Sequence, residues 1–225
     1  MTRTAIALTL VAVSCLSLFR TRDRAEAEPT TRRPQATETT TAAGHSSFMS
    51  PHASPIALVG GQVFVTNTPA DTVDVIDPTT RKVVSRVPVG VDPVGLAVRP
   101  DGKELWVANH VSDSVSVIDT DFDSPTYFQV VATVQDFDPT TRATRFDEPV
   151  GIAFANNQKA YVALSSENAI AVVNVTNRRI TRRLTITAQD PRAITVRGYR
   201  LYAVSYTHLR AHETDSYLVC RLLLE

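Results

Sequence analysis

The chain has 225 residues, of which 43% are apolar, and it carries 23 basic and 23 acidic side chains. A formal net charge of zero removes any bulk electrostatic reason to expect nucleic acid or an anionic membrane as a partner. We therefore predict no nucleic acid partner, and membrane contact only through an N-terminal signal or anchor. The two cysteines, Cys15 and Cys220, lie near the chain ends, so we expect the folded part to have no disulfide.

Residues 1–27 have the pattern of an export signal. A basic n-region precedes the apolar run AIALTLVAV, and AEA at 25–27 is a small-x-small cleavage site. Two alternatives stay open, because Cys15 follows a weak lipoprotein motif and residues 5–19 could remain as an uncleaved anchor. In each case we expect export to the periplasm or cell surface of a bacterium.

Residues 28–54 form a segment rich in Thr, Pro, Ala and Ser, with few large apolar side chains. Such a segment buries too little surface to offset the entropy lost on ordering. We predict a disordered linker between the signal and a folded domain that begins at residue 55.

The folded region repeats one pattern three times. An aromatic column holds Phe64, Trp106 and Tyr161. Thirteen residues later stand Asp77, Asp119 and Asn174. Apolar residues alternate with small or polar ones before these positions, which is the period of a strand. A further strand begins at Pro93, Pro149 and Pro191, and more loosely at Pro55, and a fourth follows the acidic column.

Each unit therefore has four short strands and no helical pattern, and the prolines are 38, 56 and 42 residues apart. Periods near forty with four strands indicate an all-β fold, a β-propeller of four-stranded blades with about three and a half blades present in an incomplete ring. Radial stacking would bury both faces of each sheet. We expect the aromatic column to lie between blades and the acidic column to form turns. Small residues at the crowded axis would be Gly95, Gly151 and Ala193.

These segments, such as LWVANHVSDSVSVIDT and VFVTNTPADTVDVID, resemble the YVTN-type β-propeller repeat of bacterial exported proteins. The resemblance covers residues 55–206 and departs at Leu164, where the other units have Asn67 and Asn109. It implies a ring of about seven blades, so we expect a C-terminal truncation, since closure takes at least four.

The tail breaks the pattern. Tyr202 stands in the aromatic column and Asp215 follows thirteen residues later, but Ala211, Glu213 and Thr214 occupy columns that are apolar in the other units. A strand with that substitution would lose its packing face. Residues 207–225 also resemble translated sequencing-adapter read-through, and we predict that they are non-native.

Candidate binding residues cluster at one end of the predicted blades. A carboxylate precedes each proline-led strand, and the loops after the aromatic strands open on the same face, around the axis. Such groups could bind a hard cation or a cationic partner, or could be turn formers before proline. The candidates are Asp92, Glu148, Asp190, Asn67, Asn109, His110 and Asp113.

The interval from Asp119 to Glu148 is 29 residues, against 15 and 16 in the neighbouring units. We expect the inserted material, DFDPTTRATRFDE, at the axial face, either as a binding loop or as a tolerated surface insertion. Its candidate contact residues are Phe137, Arg142, Arg145 and Phe146.

The sequence predicts no catalytic or metal-ligating residues and no cofactor, because GxSxG, HExxH and paired CxxC motifs are lacking. We predict a non-catalytic exported scaffold that binds a protein or small ligand at its axial face. One alternative is a propeller enzyme, resembling lactonases or quinone-dependent dehydrogenases, with an axial metal or cofactor completed by further blades. Another is an accessory propeller attached to or paired with a cytochrome-type electron-transfer domain.

Overall fold

The computed structural model describes residues 50–207 and 216–223, which form antiparallel sheets of consecutive strands. Sheet 1 contains β1 (Ile56–Val59), β2 (Gln62–Asn67), β3 (Thr72–Asp77) and β4 (Lys82–Pro88), with one 3-10 turn at Thr68–Ala70. Sheet 2 contains β5 (Pro93–Val98), β6 (Glu104–Asn109), β7 (Ser114–Asp119) and β8 (Val130–Val134). Sheet 3 contains β9 (Pro149–Asn156), β10 (Lys159–Leu164), β11 (Ala169–Asn174) and β12 (Arg179–Thr185). Sheet 4 contains β13 (Pro191–Arg197), β14 (Arg200–Thr207) and β15 (Ser216–Leu223).

The sheets stack in chain order, and their contacts run through the first two strands of each sheet. The first strand of each sheet contacts the first strand of the next, in the order β1, β5, β9 and β13. These strands form the inner wall of a ring that is not closed. The prediction of an all-β, incomplete propeller is therefore confirmed. No helix in the described part of the chain is long and apolar enough to cross a membrane.

The aromatic column fills the spaces between the sheets, as predicted. Phe64, Trp106 and Tyr161 are 1%, 0% and 2% exposed, and each belongs to a different apolar cluster. Trp106, for example, shares its cluster with Val150 and Val162 of sheet 3. Burying one such side chain in each junction stabilises the stack by about 2–3 kcal/mol per residue.

Glycines allow the inner strands to approach one another. A Cβ atom built on Gly95 would lie 2.3 Å from the carbonyl oxygen of Val150, and one on Gly151 would lie 2.1 Å from that of Arg192. No side chain tolerates such a contact with backbone, so the two glycines set the spacing of sheets 2, 3 and 4 at the axis.

The acidic column forms turns, also as predicted. Asp77 Oδ1 accepts a hydrogen bond from the Thr79 N–H at 2.8 Å, and Asn174 Oδ1 accepts one from the Thr176 N–H at 3.0 Å. Asp119 holds its longer turn in the same way, through the Asp121 N–H at 2.9 Å. These side chains are occupied by local structure.

Sheet 4 departs from the repeat in its register. Phe64 pairs with Val75, eleven positions later, whereas Tyr202 pairs with Arg221, nineteen positions later. The third strand of sheet 4 is therefore not at the position that the repeat dictates. The prediction that residues 207–225 are non-native stays a prediction, and 208–215 lie outside the described residues, as do the predicted signal (1–27) and most of the linker.

The last residues of the predicted linker make backbone hydrogen bonds to sheet 2. The Ala53 N–H donates to the Val94 carbonyl at 3.2 Å, and the Leu96 N–H donates to the Ser54 carbonyl at 2.8 Å. Residues 50–54 thus lie along the inner edge of β5, because that edge has free backbone groups that need partners.

On the face of sheet 1 that points away from sheet 2, two large apolar side chains of β1 are exposed, Ile56 at 61% and Leu58 at 72%. We expect the chain to self-associate through this face, and expect the double variant Ile56→Thr, Leu58→Thr to shift it towards monomer. Light scattering after size-exclusion chromatography measures the change. A wild-type chain that is monodisperse and monomeric would contradict the expectation.

Candidate functional site

The axial face is the end of the sheets where second strands turn into third strands and where each sheet leads to the next. A pair of hydrogen bonds ties these two kinds of loop together. The Asp92 N–H donates to Asp71 Oδ1 at 2.9 Å, and the Asp92 carbonyl accepts from the His110 N–H at 2.9 Å. Asp92 therefore joins a loop of sheet 1 to the end of β6 in sheet 2.

The same arrangement recurs at the next two junctions. The Glu148 N–H donates to Asp113 Oδ1 at 3.0 Å, and the Asp190 N–H donates to Asn168 Oδ1 at 2.8 Å. The Glu148 carbonyl accepts from the N–H of Ser165, which follows β10, at 3.0 Å, and the Asp190 carbonyl accepts from the N–H of Tyr206, near the end of β14, at 3.1 Å. The six residues that form the three bonds from a backbone N–H to an Oδ1 atom all have positive φ, a conformation that Asp and Asn tolerate better than most residues do. They are Asp71, Asp92, Asp113, Glu148, Asn168 and Asp190.

The three predicted carboxylates thus serve as junction formers, and their side chains also have partners. Asp92 accepts from the Ser50 hydroxyl at 2.8 Å, Glu148 from the Ser165 hydroxyl at 2.9 Å, and Asp190 pairs with Arg192 at 2.7 Å. Within the described residues, no three His, Cys, Asp or Glu side chains converge as a metal site would require. The structure therefore distributes these carboxylates one to a junction instead of bringing them together.

Sequence reasoning missed Asp71 and Asn168. Both stand seven residues after the aromatic column, as Asp113 does, so the signal was a third column of Asp or Asn. Of the other predicted residues, Asn109 is fully buried, and its Nδ2 donates to the hydroxyls of Ser114 and Ser116 at 3.1 and 2.9 Å. His110 and Asn67 are half-buried at the ends of β6 and β2.

The insertion of sheet 2 is divided between the two faces. The β7–β8 connection spans 120–129, whereas the same connection spans 78–81 in sheet 1 and 175–178 in sheet 3. The connection from β8 to β9 spans 135–148, whereas the connections that leave sheets 1 and 3 span 89–92 and 186–190. Only the second part lies at the axial face. DFDPTTRATRFDE lies at the axial face, as expected. The expectation that it makes up the whole insertion is wrong, because the β7–β8 connection is lengthened as well.

The axial part of the insertion is fixed to sheet 3. Arg183 on β12 forms ion pairs with Asp136 and with Glu167, and the distance to Glu167 is 3.1 Å. Glu167 also accepts a hydrogen bond from the Asp147 N–H at 3.1 Å. Phe146 is 0% exposed within the cluster of Trp106 and Val150, so its prediction as a contact residue is wrong. Its apolar ring gains more from the junction core than from the surface.

A short hairpin projects from this anchor. The backbones of Phe137 and Thr144 pair as an isolated antiparallel β-bridge. The turn between them is stabilised by Asp138 Oδ1, which accepts from the N–H groups of Thr140 and Thr141 at 2.9 and 2.8 Å. Phe137 is 44% exposed. Arg142 is exposed near the tip, and Arg145 is half-exposed with its guanidinium 3.6 Å from Asp136.

Asp113 offers a test of the junction bonds. We expect Asp113→Ala to lower the free energy of unfolding by about 2 kcal/mol, because the Glu148 N–H loses its partner and alanine is strained at positive φ. Asp113→Asn should stay within about 0.5 kcal/mol of wild type, since asparagine keeps an Oδ1 acceptor, as Asn168 does in sheet 3. Chemical denaturation measures both; equal losses would contradict the assignment.

Burial raises the pKa of Asp113, opposed by the Glu148 N–H and reinforced by the charges of Asp147 and Glu148. When a carboxyl has a higher pKa in the folded state than in the unfolded state, its contribution to the stability of the protein is present at low pH. That contribution is lost as the pH rises from the unfolded pKa through the folded pKa. We therefore expect wild type to gain stability relative to Asp113→Asn when the pH falls through that window, in paired denaturation curves.

Radially stacked sheets with touching inner strands and repeated junction bonds define a β-propeller repeat protein with an open ring. Residues 41–137 match the family model of YNCE-like β-propellers, which agrees with the resemblance to YVTN-type repeats. No curated protein matches the chain.

Solved structures similar to this chain are also propellers. A chain of Kuenenia stuttgartiensis hydrazine synthase is 28% identical with a TM-score of 0.61, over 79% of this chain and 48% of that one. The Cps50 (Swd1) β-propeller domain of Myceliophteria thermophila is 15% identical (TM-score 0.54, 67% of this chain and 49% of that one). U3-55K is 16% identical (TM-score 0.55, 75% and 52%). The chain thus spans about half the length of the chains that it matches.

Proposed function

We propose that this protein is an exported, non-catalytic propeller scaffold that binds a partner protein at its axial face. The observation that carries the proposal is the anchored hairpin at 135–148. Arg183 and the buried Phe146 fix its base, while Phe137 is exposed above it. A rigid loop with an exposed aromatic side chain on a stable scaffold suits protein recognition, since little entropy is lost on binding.

Site-specific photo-crosslinking tests the proposal. A benzophenone amino acid replaces Phe137 in one variant and Phe122 in another. Phe122 is a matched control, because it is 81% exposed in the β7–β8 connection of the same sheet, on the opposite face. We expect cross-linked adducts in the periplasm or at the cell surface from position 137 and not from 122. Adducts from 122 alone, or equal yields, would contradict the proposal.

The likeness to a chain of hydrazine synthase favours a second candidate, a propeller that is part of an enzyme. Such a protein would bring a metal, quinone or haem into the axial funnel with residues of further blades or of a partner chain. Elemental analysis and absorption spectroscopy of the protein purified from its source distinguish the candidates. A stoichiometric metal or chromophore would support the enzyme, and its absence the scaffold.

A further inference from the structure

Three large apolar side chains are exposed on three hydrogen-bonded loops of the axial face at sheet 2. Val91, Val111 and Phe137 are 46%, 63% and 44% exposed, and we call them the apolar patch. Ser112 links their segments, because its hydroxyl accepts from the Val91 N–H at 3.0 Å and its carbonyl lies 3.5 Å from Gln135 Nε2. Most exposed valines and phenylalanines are scattered singly, so three on adjoining loops indicate a contact surface.

The rim of the patch is acidic. Three carboxylates lie beside the patch: Asp92, Asp113 and Glu148. Asp92 directly follows Val91, and Asp113 stands two residues after Val111. Glu148 is next to Asp113, because its backbone N–H donates to Asp113 Oδ1 at 3.0 Å. Among the described residues, these three carboxylates form no ion pair with Lys or Arg. Of the arginines of this face, Arg145, Arg183 and Arg192 pair with Asp136, Glu167 and Asp190. Arg142 is exposed near the tip of the hairpin. The raised pKa of Asp113, caused by burial and then by Asp147 and Glu148, is consistent with a negative local potential.

We propose that the apolar patch binds a short segment of a partner protein in which apolar side chains alternate with Lys or Arg. This inference rests on the proposed scaffold function and names the chemistry of its partner. The apolar side chains would cover Val91, Val111 and Phe137, while the cations would meet the carboxylate rim. An anionic membrane or nucleic acid would be repelled by the same rim, which favours a basic peptide segment.

Two labelled 12-residue peptides test the proposal by fluorescence anisotropy with the full chain. Both contain the same Leu and Phe residues, and the intervening positions are all Lys in one and all Glu in the other. We expect the Lys peptide to bind about tenfold more tightly, with the preference decreasing as salt is added. Equal binding of both peptides, or tighter binding of the Glu peptide, would overturn the proposal.

Variants locate the binding. Val111→Ser and Phe137→Ser should each weaken the Lys peptide about tenfold, as truncation of central apolar contacts does, and Phe122→Ser should not. These side chains are exposed, so thermal melting should confirm folding in every variant. Equal loss in Phe122→Ser would overturn the assignment. If cross-links form from position 137 but peptides show no charge preference, the scaffold function stands and this inference fails.

Discussion

Replacement of Glu104 by alanine is expected to lower the free energy of unfolding by about 3 kcal/mol, because it leaves two partly buried arginines and the buried Trp106 N–H without their partner. Glu104 on β6 is 9% exposed and accepts from Arg178 in the β11–β12 turn, at 2.6 and 2.9 Å. It also accepts from Trp106 Nε1 at 2.9 Å and pairs with Arg99 at 2.8 Å. This one carboxylate therefore joins sheet 2 to sheet 3 on the face opposite the axial face.

Asp121→Ala is the matched control for Glu104→Ala. It breaks the nearby Lys103–Asp121 pair, in which the lysine side chain is 57% exposed, and should cost far less than Glu104→Ala because solvent screens an exposed pair. Glu104→Gln should fall between the two, since it keeps an acceptor for Trp106 and loses the charge. Fluorescence of Trp106, the one tryptophan of the sequence, reports denaturation at this junction. Equal losses in Glu104→Ala and Asp121→Ala would show that the cluster does not couple the sheets.

Gly151→Ala is expected to cost about 3 kcal/mol, because the new methyl group would force β9 away from β13. The Cβ would lie 2.1 Å from the backbone oxygen of Arg192, which is not free to move as a side chain is. The control is Ala193→Gly, the reverse exchange in the matched column of β13, where we expect a loss of about 1 kcal/mol from backbone entropy. Denaturation midpoints compare them. A smaller loss in Gly151→Ala than in Ala193→Gly would contradict the packing at the axis.

The repeat made the architecture predictable from sequence. Phe64, Trp106 and Tyr161 occupy equivalent positions in successive sheets, so one column of the pattern describes three similar environments. The same holds for the turn-forming Asp77, Asp119 and Asn174. Those turns are stabilised by hydrogen bonds between residues that are two or three positions apart in sequence. A short sequence pattern is therefore enough to predict them.

The interactions between sheets could not be predicted in the same way. Glu148 bonds Asp113, which is 35 residues away, and Arg178 bonds Glu104, which is 74 residues away. Such pairs depend on how adjacent sheets are placed around the axis, and no short-range period records that. Phe146 was misjudged for the same reason: it lies in an irregular insertion, where burial is decided by the neighbouring sheet and not by alternation along a strand.

Amide hydrogen exchange of the full chain, with and without the Lys peptide, tests most directly whether the axial face over sheet 2 is the binding surface. We expect slower exchange in 89–92, 110–113 and 135–145, and unchanged exchange in 120–129 on the opposite face. Protection confined to 120–129, or none at the axial loops while the peptide is bound, would contradict the account.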